Sequence, residues 1–174
     1  MTARLYVGTY AKYNSGSLQG AWLNLEDYPD REAFLATCAE LHSDEHDPEL
    51  MFQDYEGFPK DWYSESSAPP NALWDWLELD DDDRELLTIY QTEVNDSGGT
   101  PATIDQAREA FCGKYDNEAD WAAQWLEDSG SLKDVPEHLQ NFIDFEAYGH
   151  DARISGAIVF VRHNGSLWAF HANL

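Results

Sequence analysis

RLYVGTY (residues 4–10), NSGS (14–17) and AWLNL (21–25) follow one another near the start of the chain. Two short runs of β-branched, aromatic and aliphatic residues, separated by a turn-rich stretch, predict an antiparallel pair of strands. Asp30 is a good N-cap, and Phe34, Leu35, Cys38 and Leu41 fall at helical spacing, so a helix is expected to about His42. ELMFQDY (49–55) alternates and reads as a third strand. The result is a ββαβ module ending near Pro59.

Beyond it, SESSAPP (64–70) has linker composition. Two helices are expected next, at about 71–77 and 81–94. The run Asp80, Asp81, Asp82, Asp83 stands at the start of the second, where the helix dipole favours negative charge. DSGGTP (96–101) is a second break. TIDQAREAF (103–111) reads as helix, residues 112–115 as a short strand and NEADWAAQWLED (117–128) as an amphipathic helix stopped by Gly130. Pro136 to about Tyr148 is read as one further helix, with Leu139, Phe142, Ile143 and Phe145 facing a core or a partner. Asn164-Gly165 is a hairpin turn dipeptide that should pair residues 156–161 with 167–171. The expected class is α+β, an elongated chain of three small domains at 1–62, 63–103 and 104–174.

Charge is the chain's other decisive feature. Asp and Glu number 34 against 10 Lys and Arg, giving a formal net charge of -24 on 174 residues, yet 14% of residues are aromatic. Disordered acidic tails are poor in aromatics, so this is a folded domain carrying the charge of a tail. Such charge repels itself, and a strongly basic partner surface would compensate it. From Glu26 to Asp83 only Arg31 and Lys60 oppose the acids, and after Asp151 no acid occurs. That last segment is expected to be core or subunit contact.

The same composition excludes several classes. An acidic surface argues against direct binding of nucleic acid or anionic lipid. No apolar run approaches a membrane span and no signal peptide is visible. Cys38 and Cys112 form no CxxC pair, so a reduced, cytoplasmic protein is expected. The aspartate run lacks the EF-hand pattern. His42 and His46 stand four apart without HExxH; with the flanking acids they could hold adventitious zinc, but a surface loop is the better reading, so no metal or cofactor is expected. There is no GxSxG, P-loop or GxGxxG, and no catalytic constellation, so the chain is not read as an enzyme. Cys112 and the seven tryptophans are read as core. Halophilic adaptation is the rival account of the acids, since the only lysines are Lys12, Lys60, Lys114 and Lys133. Halophily predicts indiscriminate coverage, whereas a partner predicts an ordered stripe.

Duplex DNA carries about one charge per 1.7 Å of axis, so 24 net charges match roughly 40 Å, and a dimer roughly 80 Å, a little over twenty base pairs. Acids three or four residues apart on a helix sit with their Cβ atoms about 5–6 Å apart, close to the spacing of neighbouring phosphates.

RLYVGTYAKYNSGSLQGAWLNL (4–25) resembles the opening of the ArdA antirestriction proteins. GSLKDVPEHLQNFIDFEAYGHDARISG (130–156) is similar to that family's antirestriction region, as is FQDYEGFP (52–59). The resemblance runs nearly end to end. It implies a three-domain dimer mimicking bent B-form DNA, which occludes the DNA-recognition and methyltransferase core of Type I restriction–modification enzymes and protects incoming mobile DNA. An acidic chaperone or adaptor for other basic DNA-binding proteins is the alternative. On either reading the acids are the surface. Asp30, Glu32, Glu40, Asp44, Glu45, Asp47, Asp54, Glu56 and Asp61 form its first part. Asp75, Glu78 and Asp80 to Asp83 form the middle. Asp116, Glu118, Asp120, Glu127 and Asp128 lie nearer the dimer centre. Val135, Pro136, Leu139, Phe142, Ile143, Phe145 and Tyr148 are expected to make a domain or dimer contact.

Overall fold

A computed structural model of the chain describes residues 2–95 and 100–172; the break expected at 96–101 lies in part outside them. The fold is mixed α and β, with two three-stranded antiparallel sheets. The contacts divide it into two compact units, one built on Met1–Thr92 and the other on Asp105–Leu174.

In the first unit, β1 (Arg4–Thr9) is the central strand. It pairs with β2 (Ala21–Asn24) and with β3 (Leu50–Glu56), both antiparallel. Leu5 and Val7 alternate inward on β1 and are fully buried, as the period of two requires. The turn-rich stretch between β1 and β2 contains a short helix, α1 (Tyr10–Asn14), capped by the Thr9 hydroxyl accepting from the Lys12 amide. α2 (Arg31–Leu41) starts where the sequence says it should, with the Asp30 carboxylate accepting from the Ala33 amide at 2.8 Å. Its buried stripe is Phe34, Cys38 and then His42, four residues apart, while Leu41 is exposed. His42 is 1% exposed, which corrects the reading of this histidine as part of a surface loop. The step of four carries the stripe past the last helical residue into the turn.

Around Phe34 the unit's aromatic core assembles. Its ring meets Phe52, Tyr28 and Trp74 at centroid distances of 6.2, 5.5 and 5.8 Å. Trp74 belongs to α3 (Ala72–Leu77) and is followed by α4 (Asp81–Glu93), whose first turn holds Asp81, Asp82 and Asp83. Asp80 caps it, its carboxylate accepting from the Asp83 amide. Trp62 meets Trp76 edge-on at 6.0 Å, so the residues on either side of the 64–70 stretch pack on one another.

The second unit opens with α5 (Ile104–Ala110) and β4 (Phe111–Tyr115). α6 (Glu118–Asp128) is capped by Asn117 and ends before Gly130, which takes φ +73. α7 is only Glu137–Gln140, and α8 spans Phe145–Ile154. The single helix expected from 136 to 148 is therefore two, and the reason is local. The Gln140 side chain donates to the carbonyls of Leu132 and Val135, tying α7 back to the preceding turn. Asp144 then caps a new helix, accepting from the Ala147 amide. The hairpin β5 (Ile158–His163) and β6 (Ser166–His171) closes the unit, turning at Asn164-Gly165 with both residues at positive φ. β6 is the central strand, with β4 on its other side, and Leu167, Trp168, Ala169 and Phe170 are all buried. Of the acid-free C-terminal segment, β6 is thus core, while residues 153–157 are exposed. Gly149 fixes how α8 lies on α6, because a Cβ there would stand 2.5 Å from the Glu118 carbonyl oxygen.

Candidate partner-binding surface

No acid among the described residues is buried. Of the candidate surface acids, Glu45, Asp83 and Glu118 are half-buried and the other seventeen are exposed. Ten basic side chains cannot neutralise 34 acids, so the surface carries a large excess of negative charge.

The structure brings some of these acids together. Asp30, Glu32, Asp75 and Glu78, from the start of α2 and from α3, line one cleft of about 590 Å³ over Leu35 and Trp74. The basic residue there is Arg31, whose Nε donates to the Pro69 carbonyl. Caps explain the clustering. Asp30 must start α2, Glu32 sits in its first turn where the dipole favours it, and Asp75 and Glu78 fall on the facing helix.

Asp44 and Glu45 form a second group, with His42. Their ligating atoms lie within 4.8 Å of one another, a spacing a cation suits. The Lys12 ammonium fills that position. It donates to Asp44 at 2.9 Å and to His42 Nδ1 at 3.0 Å, and stands 3.5 Å from Glu45. His42 Nε2 lies 3.3 Å from the Val7 carbonyl and so donates to it, leaving Nδ1 to accept from Lys12. The hydrogen bond from Lys12 holds the Asp44 carboxyl below its ordinary range, and the same bond raises Lys12. Thr9 donates to Glu45 at 2.6 Å.

Elsewhere the acids meet cations of the chain itself. Glu56 pairs with Arg4 at 2.7 Å and Glu118 with Arg153 at 2.8 Å. Glu118, Asp144 and Glu146 share a cleft in the second unit with Arg153, Arg162 and His150. Glu40, Asp47, Asp54, Asp61, Asp116, Asp120, Glu127 and Asp128 are exposed on their own elements.

The apolar block of residues 135–148 is split. Phe145 packs on the second unit's core around Trp121, Ala122 and Ile158, and Val135 and Ile143 are half-buried. Phe142 is 83% exposed, and Pro136, Leu139 and Tyr148 are exposed too. The tryptophans are mostly core, but Trp125 is 38% exposed, which corrects its reading as buried. Cys112 is half-buried, and burial raises its thiol. Among the described residues no helix is long and apolar enough to cross a membrane.

Sequence reasoning missed Lys12 and Arg153, the two cations that answer acids from distant positions. Both ion pairs span thirty or more residues, and no local pattern encodes them.

No curated protein matches the chain. A family model does, described as antirestriction protein (ArdA) and matching residues 5–165. The match takes in the first sheet from Leu5 onward, β4 and β5 of the second, every acid of the first unit's cleft and the whole of the 130–156 block, and on it the chain belongs to the ArdA antirestriction protein family.

Proposed function

We propose that this protein mimics bent B-form DNA and occludes, without turnover, the DNA-binding site of Type I restriction–modification enzymes. One observation carries the reading: a net charge of -24 is borne by a chain whose described acids all reach solvent. Antirestriction is the family's function, and a restriction enzyme must hold DNA in a basic channel. A folded acidic surface competes for that channel by the same counterion release that drives DNA binding. On this reading segments 1–62, 63–103 and 104–174 contribute successive parts of the acidic track, and the chain acts in the cytoplasm on behalf of incoming mobile DNA.

We also propose that the chain works as a homodimer joined through exposed apolar residues of the 135–148 block. Phe142, at 83% exposed, with Leu139 and Pro136 exposed in the same stretch, is the observation in favour, since grouped apolar side chains left in water mark a contact. Phe142→Arg should yield a monomer in sedimentation equilibrium, with unchanged circular dichroism. A variant that stays dimeric would remove this interface.

The mimic is tested by titrating the protein against a Type I methyltransferase core holding labelled target duplex. Stoichiometric displacement that weakens at higher salt is expected. A folded protein that displaces nothing would overturn the reading, and displacement of basic DNA-binding proteins in general would favour the acidic adaptor.

A further inference from the structure

In the second unit, α6, α8 and the hairpin line an open cavity of about 310 Å³, at the small end of ligand sites, which run from about 300 to 1,000 Å³. Its walls are aromatic. Trp121 and Trp125, one turn apart on α6, are stacked at 6.0 Å with planes 14° apart. Tyr148 of α8 lies against Trp121 at 6.1 Å and 22°. His171 meets Trp125 edge-on at 5.5 Å. Small side chains, Ala152, Ser155 and Ala157, leave the space open, and the exposed carboxylate of Asp151 stands on the wall.

We propose that this cavity takes one arginine side chain from the basic partner. The inference rests on the reading of the protein as a DNA mimic, and adds to it an anchor that DNA itself does not have. The chemistry is specific to a guanidinium. It is flat enough to lie on stacked indole faces, cationic enough to be held by their quadrupoles, and forked to meet a carboxylate. Charge complementarity selects the occupant. A chain of net charge -24 repels anionic ligands and draws basic ones, and Asp151 is the ionisable acid among the cavity's lining residues. Trp125, left 38% exposed, supplies the open face onto which the group would slide. Trp121 is 2% exposed and lines the cavity, so its indole signal reports on a group packed against its ring.

The test uses the full chain, labelled with ¹⁵N, and follows the seven indole N–H signals at fixed ionic strength. The probes are acetylated and amidated Gly-Arg-Gly, Gly-Lys-Gly and Gly-citrulline-Gly. The arginine peptide should move the Trp121 and Trp125 signals saturably and leave Trp22 and Trp62 in place. The lysine peptide should bind more weakly and the citrulline peptide not at all. Asp151→Asn, which alters an exposed side chain, should weaken the arginine response while the spectrum stays that of a folded protein. In the displacement assay Trp125→Ala should cost roughly two- to thirtyfold, the range spanned by cation–π strengths. No saturable shift, an equal response to citrulline, or a response untouched by Asp151→Asn would overturn the site. So would movement of the Trp125 signal on dilution in step with dimer dissociation, which would give the cavity to a second copy of the chain. The peptide titration contains no restriction enzyme. A failed anchor and a failed DNA mimic are therefore told apart.

Discussion

Two clefts, one in each unit, are both rich in acids and differ in how their charge is answered. In the first, Asp30, Glu32, Asp75 and Glu78 face one another and Arg31 is engaged by the Pro69 carbonyl. In the second, Glu118, Asp144 and Glu146 share their space with Arg153, Arg162 and His150, and Glu118 is bound to Arg153 at 2.8 Å. The first cleft leaves charge for a partner; the second is largely balanced from within. Halophilic adaptation would coat both alike. The difference between the two clefts is the kind of sorting that a directed surface predicts.

Phe34→Ala should break the comparison most completely. Phe34 is fully buried and its ring supports Trp74 beneath the first cleft, so the loss should be about 3–5 kcal/mol of stability, read by urea denaturation. The equivalent change at exposed Phe142 should cost within about 0.5 kcal/mol. Next comes the charge itself. Reversing Asp30, Glu32, Asp75 and Glu78 together to Lys should weaken DNA displacement on the order of a hundredfold, because like charges brought together at an interface cost several kcal/mol. Single neutralisations there should change it by less than about threefold. A single one that abolishes displacement while the protein stays folded would contradict a distributed surface.

Gly149→Ala probes the second cleft. The added methyl group meets the Glu118 carbonyl at 2.5 Å, and forcing α8 off α6 should cost about 1–3 kcal/mol. The smallest effect concerns pH. Asp44 is lowered by its bond from Lys12, so its contribution to stability is present above the unfolded carboxylate pKa and is lost as pH falls through the lower, folded value. Lys12 is raised, so its contribution is present below its unfolded pKa and fades as pH rises through the folded one. Lys12→Met should flatten both limbs of the stability–pH profile of the first unit; a profile identical to wild type would remove the ion pair from the account.

Much of this was legible because the signals were local. The strand-forming run at β1, the Asp30 cap and the Asn164-Gly165 turn each lie within a few residues, and each appears in the structure as read. The helix expected over 136–148 failed because its apolar spacing continues through a break made by side chains: Gln140 tying back and Asp144 starting again. Asp144, a capping residue inside an apolar run, was the available signal. His42 was misjudged for the opposite reason. Phe34, Cys38 and His42 share one face at intervals of four, but a histidine near acids reads as solvent-facing until Lys12 arrives from α1. The aromatic cavity was not legible at all, since it needs α8 laid on α6 by Gly149.

The most direct test of the central claim is the salt slope of binding to one Type I methyltransferase core, measured for this protein and for its target duplex under the same conditions. A mimic that releases counterions should give a steep linear fall of log K with log salt, as the duplex does at roughly 0.9 per phosphate neutralised. A flat slope, with tight binding persisting at high salt, would mean that apolar contacts and not the acidic surface hold the partner, and would contradict DNA mimicry.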